Sequence, residues 1–82
     1  MQTRAEILED VIKILRESLG QEVEISPKTH LETDLAVDSL RAMEILAAVE
    51  DHFDITIPIN ILNEVQTVED LVNQIEKLLK EG

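Results

Sequence analysis

Cysteine, tryptophan and tyrosine are absent from this 82-residue chain, and Phe53 is its one aromatic residue. Without cysteine there is no disulfide to staple a small fold. The protein also has no thiol of its own to act as a nucleophile. So few aromatic residues argue against a β-sandwich, whose strands draw on aromatic and β-branched side chains. Basic residues are scarce as well: seven Lys and Arg stand against eighteen Asp and Glu, a formal charge of −11. Nucleic acid is therefore not an expected partner, because phosphate binding needs a basic surface. No apolar run is long enough to cross a membrane, and the N-terminus lacks a signal-peptide pattern. Membrane insertion is not expected, and the cytoplasm is the expected location.

What is present is aliphatic. Apolar residues make up 44% of the chain, nearly all of them aliphatic, which suits one compact helical domain over residues 1–82. The acidity points to partners with basic patches, met by electrostatic steering.

Four helical segments can be read. Thr3 and Glu6 have the T-x-x-E spacing of a capping box. Ile7, Leu8, Val11, Ile12, Ile14, Leu15 and Leu19 then fall within an arc of roughly 160° at helical spacing, and Gly20 supplies a stop. Residues 21–37 form a long connection in which Ser26-Pro27 marks a local turn. Leu31, Leu35 and Val37 are placed to pin this connection to the core, and long ordered loops are often functional.

The second helix begins at Asp38 or Ser39 and runs to about His52. Its apolar arc is broad, roughly 220°, with Arg41, Glu44, Asp51 and His52 on the remaining side. Such an arc fits a central helix, or one with an apolar edge left over for a partner. Pro58 opens a short third helix near residues 59–64. Thr67 caps the last helix, with Asp70 at its acidic third position. Val68, Leu71, Val72, Ile75, Leu78 and Leu79 form its stripe, and Lys77 and Lys80 complement its dipole.

Conventional catalysis finds little support. A nucleophilic Ser39 needs a base within hydrogen-bond reach. His52 lies about 20 Å along the same expected helix, and nothing in the sequence places His30 nearby. There is no G-x-S-x-G elbow. The two histidines lack H-E-x-x-H spacing and no EF-hand loop is present, so no metal site is expected. Ser39 has a different chemical potential. A helix N-terminus offers unpaired N–H groups and a dipole that favours negative charge, so a phosphate esterified there would be well placed. Asp38 as the cap would leave the Ser39 hydroxyl free. An Asp-Ser pair is also an ordinary helix start that needs no modification.

The surrounding residues favour the first view. "DLAVDSLRAMEILAAVEDHFDITIP" resembles the attachment-site region of acyl carrier proteins and the wider phosphopantetheine carrier family, at Asp38, Ser39, Leu40, Glu44, Phe53, Ile57 and Pro58. "QTVEDLVNQI" resembles the Thr-Val opening of the family's last helix. The resemblance implies an all-α four-helix bundle with a short third helix and a long loop between helices 1 and 2. It implies a 4′-phosphopantetheine arm on Ser39, added from coenzyme A by a phosphopantetheinyl transferase, with Asp38 serving as helix cap and in transferase recognition. The arm's thiol would carry acyl groups as thioesters. The protein itself would catalyse nothing, acting as a monomer. Partners would be acyl-ACP synthetase, acyltransferase or ketosynthase-type enzymes with basic docking patches, in fatty-acid, polyketide or related biosynthesis.

Leu40, Met43 and Ala47 would give the docking surface its apolar part, and Glu44, Glu50 and Asp51 its charge. The acyl chain is expected to shelter in the bundle, with Ala47 and Ala48 helping it to open. A helical adaptor that keeps this fold without the arm is the alternative.

The chain departs from the family pattern in places. Ala36 stands where glycine is usual, which would cost stability if that position needs an unusual backbone angle. Arg41 replaces an acid. "INILNE" is poor in charge where the family is acidic, so Ile59 and Ile61 are expected to expose apolar surface. Arg41 and Ile59 thereby join the docking residues and point to a specialised rather than a housekeeping carrier.

Overall fold

In the computed structural model, which describes residues 3–81, three α-helices and one 3-10 helix enclose an apolar core. The first helix, α1, spans Arg4–Leu19. Thr3 and Glu6 form the full capping box: the Glu6 N–H donates to the Thr3 hydroxyl at 3.2 Å and the Thr3 N–H to Glu6 Oε1 at 2.9 Å. The bond from the Thr3 N–H, with a smaller contribution from the Thr3 side chain, lowers the Glu6 carboxyl from its ordinary value. At the other end Gly20, at φ 122, takes a conformation that side-chain-bearing residues rarely adopt, and its N–H closes onto the Arg16 carbonyl.

Helix α2 spans Ser39–Phe53 and α3 spans Val68–Glu81. Between them, Ile59–Asn63 form a 3-10 helix opened by Pro58. The core takes Ile7, Val11, Ile14 and Leu15 from α1, and Ile45, Leu46, Val49 and Phe53 from α2. It takes Val68, Leu71, Val72 and Ile75 from α3. Each set follows the helical spacing of the sequence. Among the described residues no polar or charged side chain is buried, so the interior is wholly apolar.

The fold departs from expectation at Ile61. It is buried, and of the two isoleucines of the 3-10 helix only Ile59 faces solvent. One turn of 3-10 helix must anchor itself to the core through at least one side chain, and Ile61 does so. Ala47 and Ala48 are also exposed, outside the core. They lie on the arc of α2 turned from Val49 and Phe53.

The long connection is ordered by pairing with the entrance of α3. Leu31 N–H donates to the Gln66 carbonyl at 2.9 Å, and Val68 N–H to the Thr29 carbonyl at 3.0 Å, an antiparallel bridge between His30 and Thr67. Ser26 and Thr29 close the expected turn. Leu31 and Leu35 pack on the core and Val37 is buried within it. At the α3 entrance the Asp70 carboxylate accepts from the Thr67 and Gln66 N–H groups, both at 3.0 Å, while the Asp70 N–H donates to the Thr67 hydroxyl. Those bonds, led by the one from Thr67 N–H, lower the Asp70 carboxyl from its ordinary value, with a smaller contribution from His30.

Candidate functional site

The loop delivers the chain to α2 through a strained residue. Ala36 sits at φ 54, in the left-handed region that disfavours a Cβ. Asp38 then takes extended backbone, and its Oδ1 accepts a hydrogen bond from Arg41 N–H at 2.8 Å. Asp38 is thus the N-cap, and Ser39 is the first helical residue. Ser39 is exposed, and among the described residues its hydroxyl has no hydrogen-bond partner. The side chain one residue earlier performs the capping, so this hydroxyl is left over at the positive end of a fifteen-residue helix.

Beside Ser39 lies a cavity of about 770 Å³. Its floor is apolar, formed by Val37, Ile45, Leu46 and Leu71, all buried core residues. His30, Glu32, Thr33, Asn63 and Gln66 supply a polar rim, and Asp38 and Ser39 lie at one edge. The small residue that opens this space on α2 is Ala42; neither Ala47 nor Ala48 lines it. The sequence does not predict this substitution of roles, because Ala42 and the two later alanines look alike along the chain. Only the rotational phase of α2 against the core separates them.

A covalent phosphodiester fits these residues. An unpaired, solvent-facing hydroxyl at a helix N-terminus tolerates both the ester bond and its negative charge. Nucleophilic catalysis does not fit. His30 and Ser39 border the same cavity, but no hydrogen bond joins them. His52 is instead held by Asp10 of α1, with Nε2 and Oδ2 3.2 Å apart. Among the described residues no group of three His, Cys, Asp or Glu is placed to hold a metal ion.

The remaining residues singled out by the sequence lie on α2 and the 3-10 helix. Among the described residues, Leu40, Met43 and Ile59 are the exposed large hydrophobic residues, 69%, 49% and 66% accessible. Ala47, Glu44 and Asp51 are exposed beside them on α2. Arg41 is turned toward α1: its Nη1 donates to the Ser18 carbonyl at 3.2 Å and lies 3.7 Å from Glu44 Oε2. Glu50 is half-buried, and its Oε2 accepts from Ile57 N–H at 2.8 Å, tying down the segment after α2. Sequence reasoning missed this bond, which spans a turn and follows no local spacing rule.

Comparison with known proteins is decisive. A family profile described as "Phosphopantetheine attachment site" matches residues 9–75, most of the chain. The chain belongs to the acyl carrier protein family. It is 47% identical over 60 residues to a probable acyl carrier protein of Caulobacter vibrioides (strain NA1000 / CB15N), covering 73% of this chain and 70% of that protein. It is 41% identical over 78 residues to an acyl carrier protein of Exiguobacterium sp. (strain ATCC BAA-1283 / AT1b), covering 94% and 99%. An acyl carrier protein of Thermobifida fusca (strain YX) is 37% identical over 73 residues, covering 88% and 92%. The family's cofactor is 4′-phosphopantetheine, and its members are carriers rather than enzymes. Family membership also implies interaction with a phosphopantetheinyl transferase and with biosynthetic enzymes. No described helix is long and apolar enough to cross a membrane.

Proposed function

We propose that this chain carries acyl intermediates as thioesters on a 4′-phosphopantetheine arm attached to Ser39, and delivers them in the cytoplasm to enzymes of fatty-acid, polyketide or related biosynthesis. One observation carries the reading above the others: the Ser39 hydroxyl is exposed and unbonded at the first turn of α2, while Asp38 does the capping. When attached, the arm supplies the thiol that the sequence lacks. Its tether raises the effective concentration of cargo at a partner's active site.

The chain's own residues have three tasks in this reading. Asp38 holds the helix end in shape for the transferase. The floor of Val37, Ile45, Leu46 and Leu71 shelters the aliphatic end of the cargo, since it offers no polar atom to a polar group. Leu40, Met43, Ala47 and Ile59 give partners an apolar contact, rimmed by Glu44, Glu50 and Asp51, which attract basic patches on synthetase, acyltransferase or ketosynthase-type enzymes. Arg41 tempers that acidic rim, and the exposed Ile59 extends the apolar part. Both features support a specialised carrier.

The test is direct. The protein is incubated with coenzyme A, Mg²⁺ and a broad-specificity phosphopantetheinyl transferase, and its intact mass is measured. One arm should be gained, and Ser39→Ala should abolish the gain. An unchanged mass with every transferase tried would overturn the proposal in favour of an adaptor that never bears the arm.

A further inference from the structure

Among the described residues, two that are not glycine have positive φ: Ala36 at 54 and Asp54 at 55. Asp54 closes α2, where the left-handed region is common and a short polar side chain tolerates it. Ala36 ends no helix and has no polar side chain to offset the strain. Nor does the core use its methyl group. Ala36 is exposed, while its neighbours Leu35 and Val37 supply the contacts with the interior. The main chain on either side is fixed by its own bonds: Leu35 N–H donates to the His30 carbonyl at 3.2 Å, and Val37 N–H to the Leu31 carbonyl at 2.9 Å. A glycine would hold the same turn at lower cost. What Ala36 does border is the cavity beside Ser39. Every other apolar residue of that lining is buried or half-buried, and the other exposed ones are polar, so Ala36 is the one apolar group at the lip. Strain that packing does not require collects where a ligand is clamped.

We propose that the Ala36 methyl group holds the arm on Ser39 against the cavity, by contact with the arm's branched apolar segment. That segment, a carbon bearing two methyl groups, follows directly on the phosphate, so it stays close to the serine whatever the rest of the arm does. It is an apolar group next to a charge, and it needs an apolar spot within a polar lip. The alternatives near the ester are committed elsewhere. Val37 is buried, Asp38 caps α2, and Leu40 does not line the cavity. An arm held at Ala36 starts toward the floor of Val37, Ile45, Leu46 and Leu71; an arm without that contact is free to point into solvent. The strained alanine thereby trades a little stability for retention of cargo. The proposal deepens the carrier reading and rests on it, since it needs the arm at Ser39.

The test loads the full chain, Ala36→Gly and Ala36→Ser with an octanoyl arm from octanoyl-coenzyme A and checks each by intact mass. In the parent, nuclear Overhauser effects should join the arm's paired methyl groups to the Ala36 methyl. Neutral hydroxylamine should cleave the thioester about fourfold faster in Ala36→Gly, the factor expected for losing one methyl group's apolar contact. Ala36→Ser keeps the Cβ and should stay close to the parent. Ala36→Gly should also melt higher, because it relieves the strain, so faster cleavage could not come from a loosened fold. A missing Overhauser effect, equal cleavage in parent and Ala36→Gly, or Ala36→Ser behaving as Ala36→Gly would overturn the proposal. Those results on a chain that has gained the arm leave the carrier reading standing, whereas a chain that gains no mass overturns both, so the two failures are distinguishable.

Discussion

The carboxylate of Asp38 and the backbone N–H of Arg41 are 2.8 Å apart, and this bond assigns the capping of α2 to the residue before the serine. It separates two jobs that one Ser side chain would otherwise have to share. Asp38→Ala should therefore lower stability by about 1 kcal/mol, the usual cost of losing a cap. That corresponds to a melting temperature lower by roughly 4–8 °C in a domain of this size. Thermal unfolding followed by circular dichroism at 222 nm checks it. An unchanged melting temperature would mean that Ser39 takes over the cap, and its hydroxyl would then no longer be free.

Ala36 makes a prediction of opposite sign. At φ 54 it holds a backbone conformation that costs an L-residue about 1–2 kcal/mol. Ala36→Gly removes that strain but adds freedom to the unfolded chain, worth about 0.4–1 kcal/mol. The net expectation is a stabilisation of about 0.5–1 kcal/mol. Urea unfolding should show a higher midpoint at unchanged slope.

Asp70 gives the acid limb of stability a specific contributor. Hydrogen bonds from Thr67 and Gln66 lower its carboxyl in the folded state below the ordinary value of 3.8. A depressed folded value means that the stabilisation is present above the unfolded value and is lost as pH falls through the folded one. Asp70→Asn should be less stable than the parent at pH 7. The difference should shrink steadily once the pH drops below about 5, where unfolded aspartate begins to protonate. Melting temperatures from pH 7 to pH 2.5 test this. A constant gap would place the effect in the side chain's shape rather than its charge.

The net charge of −11 sits on a body about 31 × 25 × 20 Å across. At 10 mM salt the screening length is about 30 Å, so acids repel one another across the whole molecule; at 150 mM it is about 8 Å. The melting temperature should rise with NaCl over this range at neutral pH. A flat response would show that the acids are already compensated by local contacts.

Arg41 bridges α1 and α2 and offsets Glu44, so its replacement has two readouts. Arg41→Asp should lower stability slightly, by less than about 1 kcal/mol for so exposed a contact. It should also raise turnover with a generic fatty-acid synthase system, measured as acyl-protein formed per unit time. Unchanged turnover would leave Arg41 with only its structural bond to Ser18.

Local patterns carried most of the helices. The Thr3–Glu6 box, Asp38 as cap, and Thr67 with Asp70 all lie at fixed offsets within one turn, where sequence spacing and geometry coincide. What could not be read there depends on distant partners. The pairing of His30 with Thr67 joins segments far apart in the chain, and backbone hydrogen bonds leave no mark in side-chain identity. The bond from Ile57 to Glu50 turns an acid with the look of a free surface charge into a brace. Ile61 is buried and Leu62 packs beside it on the core while Ile59 faces solvent, and five residues are too few for periodicity to indicate which side faces inward. At the site, the capping residue and the serine were legible, but the cavity at Ala42 was not. A missing volume is visible only once the elements around it face each other.

The hem between Thr29–Leu31 and Gln66–Val68 makes the two sides of the Ser39 cavity mechanically unequal. One side is sewn to the start of α3 by main-chain bonds; the other is a single 3-10 turn with no side-chain cap. In the carrier reading proposed above, cargo would meet at Leu31 a wall tied to α3, and at Leu62 and Asn63 a wall tied only by the 3-10 helix's own local main-chain bonds.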